Sequence, residues 1–282
     1  MRASSFARVP PVRRSVTRTF IAMMARDLRV LRRNFVANSI NLAVPPLLTT
    51  FIFSYVLPQT SLGAGALAGG SSGTTTFSTI LLPGLVASSI MTEGMTGTLR
   101  PLIQELSFQR SISERAMAPL SIKMLAAQKV VTGALQGLIA GLLVYPAVFL
   151  ISAQGQAPKV HIDSWPMLVF VMLGAALLSS SGGLLLGTLV NPAHLQTLMA
   201  VFILPMMTLG CVYFPWTSLG NVRWLQIAVL VNPLVYCSEG LRATLTPQFD
   251  SMPIAVILSV LFVGPLVLGW LGARKFTARV LS

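Results

Sequence analysis

The chain has 282 residues, of which 54% are hydrophobic and only 10% are charged. Soluble domains carry about 25% charged residues, so this composition excludes an ordinary water-soluble globular protein. Asp, Glu, Lys and Arg are absent from four long stretches, namely 34–92, 130–158, 164–222 and 251–273. A helix needs about 20 apolar residues to cross the hydrocarbon layer. These stretches therefore predict an all-α polytopic membrane protein with six transmembrane helices.

The net charge of +13 is unevenly distributed along the chain. Basic residues cluster before residue 34, between residues 100 and 129, and at the C-terminus, and only Lys159, Arg223 and Arg242 lie elsewhere. Cytoplasmic segments of membrane proteins are enriched in Lys and Arg, so the pattern predicts cytoplasmic N- and C-termini. No aromatic residues alternate with a basic face as single-stranded nucleic acid would require. We therefore expect membrane lipids, and no nucleic acid, as partners.

The N-terminal third begins with an amphipathic segment at 14–33 that carries apolar residues on one side and arginines on the other. Such a helix is typical of the headgroup layer over anionic lipid; the alternative is a cytoplasmic helix packed on a partner. The first crossing is predicted at 36–57, with a kink at Pro45-Pro46, and the second at 77–99. Between them, the Gly/Ser-rich segment 61–73 is predicted to be a flexible external linker.

The remaining crossings are predicted at 122–151, 165–189, 195–213 and 254–271. Within the third crossing, Gly133, Gly137 and Gly141 recur at a spacing of four, which lets another helix approach closely. The fourth crossing has a run of small residues, "SSSGG", at its centre. No long-period repeat and no second soluble domain is evident, so 1–282 is interpreted as a single transmembrane domain.

Residues for enzymatic chemistry are almost absent. His161 and His194 are the only histidines, and they lie on opposite predicted sides. No cluster has the spacing of metal ligands, and no phosphate-binding loop or nucleophile elbow occurs. Glu93 is the one ionisable candidate inside a predicted crossing, near its cytoplasmic end. We predict no metal, cofactor or catalytic residue on this chain, with any energy source on another chain.

Two segments carry open alternatives. The cytoplasmic segment 105–121 contains Ser113, Glu114 and Arg115 before a proline stop at Pro119, and it is either a short helix that transmits force to both adjoining crossings or a solvated loop. Residues 213–242 are apolar but interrupted by Pro215 and Pro233. They form either a re-entrant hairpin or an amphipathic loop on the outer leaflet, because broken backbone at membrane depth needs protein or a watery cavity around it.

The two cysteines, Cys211 and Cys237, flank this second segment. They could pair on the oxidising side of the membrane, but two buried free thiols are favoured.

Three stretches resemble the permease subunits of ABC-2 type exporters, the group of drug-resistance, lipo-oligosaccharide and polysaccharide exporters. They are "QELSFQRSISERAMAPLSIKMLAAQKVVTGALQGL", "LGCVYFPWTSL" and "VNPLVYCSEGLRATL". Their order and spacing, together with the N-terminal helix and six crossings, extend the resemblance over nearly the whole chain. In "SERAMAP" the chain departs from the more acidic, leucine-rich form of many relatives.

The resemblance implies two such permeases, identical or paralogous, assembled with two cytoplasmic ATPase subunits that hold ATP and Mg. It makes 109–120 the coupling helix on the ATPase, and 14–33 the connecting helix. The coupling residues would be Arg110, Ser113, Glu114, Arg115 and Pro119. It also implies alternating access, a pathway lined by the second and fifth crossings, and a hairpin at 215–245 as the external gate. The gate residues would be Phe214, Pro215, Trp216, Asn232 and Pro233.

The pathway candidates are mostly soft, adaptable side chains. They are Met91, Glu93, Met95, Met199 and Met206, although any one of these methionines could simply pack between helices. A pathway with few charges suits an amphipathic or lipid-linked compound, such as a polyketide-like drug, a glycolipid or a glycan. The resulting hypothesis is an export permease in the bacterial cytoplasmic (inner) membrane. The alternatives are a membrane-embedded lipid-modifying enzyme and a non-transporting scaffold subunit.

Overall fold

The computed structural model describes residues 16–33, 44–56, 77–107, 122–151, 158, 160–190, 197 and 199–281. Within these ranges the chain is helical apart from turns and short extended links, and no strand occurs. The linker at 61–73 and the predicted coupling helix at 109–120 lie outside the described residues.

The helices are numbered in chain order. They are α1 (Val16–Arg33), α2 (44–56, π-helical at Ile52–Val56), α3 (Phe77–Ser107), α4 (Ile122–Ile151), α5 (Trp165–Leu189), α6 (a π-helical turn at Met199–Ile203 followed by Leu204–Thr208), α7 (Arg223–Ala228), α8 (Pro233–Leu245) and α9 (Ile254–Leu281). Short 3-10 helices at Trp216–Asn221 and Val229–Val231 flank α7.

Three helices among the described residues are long and apolar enough to cross a membrane. They cover Met124–Ile151, Trp165–Leu189 and Ile254–Arg279, which correspond to α4, α5 and α9. These ranges overlap the third, fourth and sixth crossings expected from the sequence. The prediction of an all-α membrane protein is therefore confirmed at the level of a helical chain with three candidate spans.

Helix α3 lies at the centre of the bundle and packs against α4, α5 and α8. Its contact with α4 uses the glycine ridge predicted there. A Cβ atom on Gly137 would lie 2.8 Å from the Ile90 carbonyl oxygen, and one on Gly133 would lie 1.9 Å from Thr98 Oγ1. Only glycine allows the two backbones to come this close, as is common where membrane helices cross.

The "SSSGG" run belongs to a continuous helix, α5, and forms its contact with α3. A Cβ on Gly183 would lie 2.4 Å from the Met95 carbonyl oxygen. Thr98 and Ser180 share a hydrogen bond of 2.7 Å, and the Ser180 hydroxyl also donates to the Val130 carbonyl of α4. Small and hydroxyl-bearing residues therefore join α3, α4 and α5 in one tightly packed layer.

The two ends of the chain are tied to this layer by polar side chains. Gln128 Nε2 of α4 donates to Asp27 Oδ2 of α1 at 2.8 Å, so α1 is held against the start of α4. At the other end, Arg279 of α9 donates to the carbonyl oxygens of Thr188 and Val190, both at 2.9 Å. A cation on the last carbonyls of a helix is favourable because these carbonyls lack partners within the helix.

Candidate external gate and membrane groove

The stretch after α6 opens with a sharp turn. Cys211 adopts φ 52°, which is rare for a residue with a side chain. A Cβ on Gly84 would lie 2.0 Å from the Val212 carbonyl oxygen, so the turn rests directly on the backbone of α3. The chain then enters the 3-10 helix at Trp216, whose indole Nε1 donates to the Gln226 carbonyl at 3.1 Å. This bond folds the 3-10 helix back onto α7.

Asn232 separates the 3-10 helix Val229–Val231 from α8, which begins at Pro233. Asn232 Oδ1 accepts a hydrogen bond from the Leu234 backbone N–H at 3.0 Å, and Pro233 begins α8. This is the expected chemistry of a helix start, because the Asn side chain satisfies a free N–H and proline needs no hydrogen bond at the first position. The same side chain donates through Nδ2 to the Met206 carbonyl at 2.7 Å, which joins the break to α6.

Two residues one helical turn apart on α8 form a fully buried ion pair. Glu239 and Arg242 are both 0% exposed, and Arg242 Nη1 donates to Glu239 Oε1. Glu239 also accepts backbone N–H groups from Trp216 at 2.9 Å and from Met252 at 3.3 Å. Arg242 Nη2 donates to the Cys211 carbonyl at 3.1 Å. We call these five residues, Cys211, Trp216, Glu239, Arg242 and Met252, the hairpin clamp.

The hairpin clamp holds four pieces of chain that are distant in sequence. It joins the turn after α6, the start of the 3-10 helix, α8, and the link that leads into α9. Two buried charges are costly to desolvate, and the cost is offset only when the geometry is good and the remaining lone pairs and protons are bonded. Arg242 Nε is the one buried side-chain nitrogen or oxygen in the described part of the chain without a hydrogen-bond partner.

Ser238 strengthens the same junction by donating to the Gly210 carbonyl at 2.8 Å. Both cysteines of the region, Cys211 and Cys237, are buried free thiols, so no disulfide contributes. The fixed geometry of this stretch therefore depends on hydrogen bonds and one ion pair.

A groove of about 700 Å³ lies next to the helix break at Asn232 and Pro233. Its wall is formed by α3, α5, α6 and α9, together with the 3-10 helix Val229–Val231 and the start of α8. Representative lining residues are Met95, Gly182, Phe202, Pro233 and Val263. The lining is almost entirely apolar, and its hydroxyl groups belong to Tyr236 and Ser259. Such a surface suits hydrocarbon or an aromatic ring system.

The structure separates the expected pathway residues into different places. Met91 and Met95 both line the groove. Glu93 lies between them in sequence and instead accepts a hydrogen bond from Gln136 of α4 at 2.9 Å. Met206 is buried and lines a smaller cavity of about 340 Å³ next to Asn232. Met199 is the first residue of α6.

The expected gate residues lie in the stretch after α6. Trp216 belongs to the hairpin clamp, Asn232 and Pro233 form the break, and Phe214 and Pro215 lead into the 3-10 helix. The expected coupling residues, Arg110, Ser113, Glu114, Arg115 and Pro119, lie outside the described residues.

Sequence reasoning missed Glu239 and treated Arg242 only as a basic residue on the external side. A signal was nevertheless present. The two residues are three apart, so they share a face of a helix, and no other charged residue lies between Arg223 and Asp250. Isolated opposite charges in an otherwise apolar stretch at this spacing indicate a buried pair.

The helical bundle with its three candidate spans defines a polytopic membrane protein. Residues 18–246 match the ABC-2 type transporter family, so the chain belongs to that family. It is therefore the permease component of an ABC-2 type transporter, a non-catalytic transport subunit. Membership implies ATPase partners, and the family carries no cofactor of its own.

The chain is also similar to "Inner membrane transport permease YadH" of Escherichia coli (strain K12). The two are 28% identical over 203 residues, which cover 71% of this chain and 73% of the relative. The protein of the same name from Shigella flexneri matches to the same extent. The homology to an inner membrane permease agrees with the helical spans and supports the predicted kind of membrane.

Proposed function

We propose that this permease exports an amphipathic or lipid-linked compound, of the drug, polyketide, glycolipid or glycan type, across the bacterial inner membrane by alternating access driven by ATP. The observation that carries the proposal is the apolar groove of about 700 Å³ beneath a clamped hairpin. A cargo with a large apolar part would fill such a groove, whereas a small ion would find few ligands there.

The groove has the composition expected of one wall of a transport pathway. Met91 and Met95 of α3 and Phe202 of α6 contribute to it, and these helices lie in the predicted second and fifth crossings. Leu230 and Pro233 line it next to the proposed hairpin break. We propose that residues 215–245 form a re-entrant external gate, with the clamp as its fixed base and the break at Asn232 as its mobile tip.

We further propose six crossings with both termini in the cytoplasm and one transmembrane domain over 1–282. Two copies of this permease, or this chain and a paralogue, would assemble with two ATPase subunits. The concentration of Lys and Arg near the termini and after the second crossing supports this orientation.

Coupling to the ATPase would use the segment 109–120. Glu114 and Arg115 supply a charged pair there, and Pro119 ends the segment before α4. Substituting Glu114→Ala together with Arg115→Ala should leave membrane insertion intact and reduce the amount of ATPase that co-purifies with the permease. The control is His161→Ala with Asp163→Ala, which removes an exposed pair on the predicted opposite side.

The proposal is tested by measuring ATPase stimulation and vesicle uptake of the co-purified complex against a panel of amphipathic drugs and lipids. Uptake that requires ATP and disappears with the Glu114 and Arg115 substitutions is the expected result. Unchanged ATPase recovery and unchanged uptake would exclude 109–120 as the coupling helix. A complex that hydrolyses ATP but moves none of the panel would favour the scaffold alternative.

A further inference from the structure

Glu93 is hydrogen-bonded to the central part of a candidate membrane span. Its hydrogen-bond partner Gln136 belongs to the candidate span Met124–Ile151, within two residues of the centre of that span. Because the helix is long enough to span the hydrocarbon layer, a side chain bonded to its middle is expected within that layer. Ionisable groups at this depth are costly and usually serve a function.

The local packing holds the Glu93 carboxylate in place. A Cβ on Gly97 would lie 2.5 Å from Gln136 Oε1, so the Gln136 side chain lies across the space that Gly97 leaves open. In that position its Nε2 donates to Glu93 Oε2 at 2.9 Å. Gly97 and Gln136 therefore position one carboxylate oxygen and leave the other oxygen available for a ligand.

No cationic side chain compensates this carboxylate within the part of the chain that the structure describes. The ion pairs of Arg26, His161 and Arg242 do not involve Glu93. Lys129 is seven residues from Gln136 along α4, a rise of about 10 Å. Glu93 is partly exposed, so a ligand can reach it from outside the helix pair.

The surroundings of Glu93 restrict the kind of ligand. Ile139 and Leu143 follow Gln136 at i+3 and i+7, on the same stripe of α4, and both are partly exposed. Calcium and magnesium require six or more oxygen ligands, but Gln136 turns its N–H toward the carboxylate. An organic cation whose charge is surrounded by apolar groups needs no set of oxygen ligands, and the charge of the carboxylate is enough to attract it.

We propose that Glu93 and Gln136 form a binding site for a lipophilic organic cation on the α3–α4 face of the permease. The site is separate from the apolar groove, because Glu93 is two residues from Met91 and therefore about 200° around α3. The inference goes beyond the export proposal, since binding at Glu93 requires neither ATP nor movement of the hairpin.

The test is equilibrium binding of radiolabelled tetraphenylphosphonium to the purified permease–ATPase complex without nucleotide. Glu93→Gln keeps an acceptor for Gln136 and so preserves the contact between the helices while removing the charge. We expect this variant to bind the cation at least about tenfold more weakly, equivalent to about 1.4 kcal/mol. Glu93→Asp should retain more of the affinity than Glu93→Gln does.

Two controls separate a charge effect from a general loss of structure. Tetraphenylborate has nearly the same shape and the opposite charge, so its binding should not weaken in Glu93→Gln. Asp163→Asn removes an exposed carboxylate elsewhere and should leave cation binding unchanged. Equal affinity of wild type and Glu93→Gln for the cation would overturn the inference, as would a parallel loss of tetraphenylborate binding. Neither result bears on ATP-driven export, which the uptake assay measures by itself.

Discussion

Glu239 and Arg242 are the two side chains on which the position of the hairpin most depends. Removing one partner of a buried ion pair leaves the other charge uncompensated, which typically costs about 3–5 kcal/mol. We therefore expect Glu239→Leu and Arg242→Met each to lower the free energy of unfolding markedly. Denaturant unfolding of the purified permease, followed by tryptophan fluorescence, measures the change, since Trp216 itself is bonded to Glu239.

Comparison of the double variant with the single variants distinguishes an ion pair from ordinary packing. Glu239→Leu combined with Arg242→Met removes both charges, and it should be less destabilising than Arg242→Met alone because no isolated charge remains. Asp163→Asn, at an exposed pair, should change stability little. If the double variant were as unstable as the sum of its single variants, the two side chains would act independently and the clamp would be incorrectly assigned.

Helix contacts in this protein are set by the absence of side chains as much as by their presence. A Cβ on Gly94 of α3 would lie 2.1 Å from Ser179 Oγ of α5. Gly94→Ala should therefore overpack the α3–α5 contact and destabilise the fold by about 1–3 kcal/mol. Ser179→Ala removes the clashing oxygen, and the combined variant should recover much of the loss. Thermal unfolding of the four proteins in detergent provides the comparison.

Gly182 offers a matched control on the same helix as Ser179. A Cβ there would meet no atom within 4 Å, so Gly182→Ala should be close to neutral. A loss at Gly182 equal to the loss at Gly94 would mean that glycine at these positions matters for helix flexibility and not for the contact between α3 and α5.

The elements that could be predicted from the sequence are those determined by residues close to one another along the chain. The helix break at Asn232 and Pro233 follows from a capping side chain beside a proline, and the glycine ridge of α4 follows from its spacing. The hairpin clamp could not be derived in the same way, because Glu239 meets Trp216 and Met252 only after the chain has folded. Similarly, the hydrogen bond that Gln136 of α4 donates to Glu93 of α3 joins residues 43 positions apart and could not be derived from local sequence.

The orientation of the whole molecule connects its charge distribution with the proposed gate. With both termini in the cytoplasm, as proposed, the number of crossings is even, and the proposed hairpin before the last crossing would lie on the external side. Val231 is 88% exposed in the protein alone, so any protection of this residue in a membrane must come from lipid or from a second subunit. Gly220 is exposed as well, but it lies in the 3-10 helix at the proposed outer surface.

Cysteines placed at positions 220, 231 and 282 and labelled with a membrane-impermeant maleimide test this arrangement. We expect labelling at 220 in right-side-out vesicles, labelling at 282 only in inside-out vesicles, and slow labelling at 231 in both. The parent protein should stay unlabelled because Cys211 and Cys237 are 0% exposed. Labelling of 231 as fast as 220 would mean a loop on the outer surface, and labelling of 282 from outside would exclude six crossings with both termini inside. A protected 231 beside an accessible 220 is the result expected if the chain dips toward the hydrocarbon after Asn221 and turns outward again at Asn232 and Pro233, which is the geometry that a lid over the groove needs.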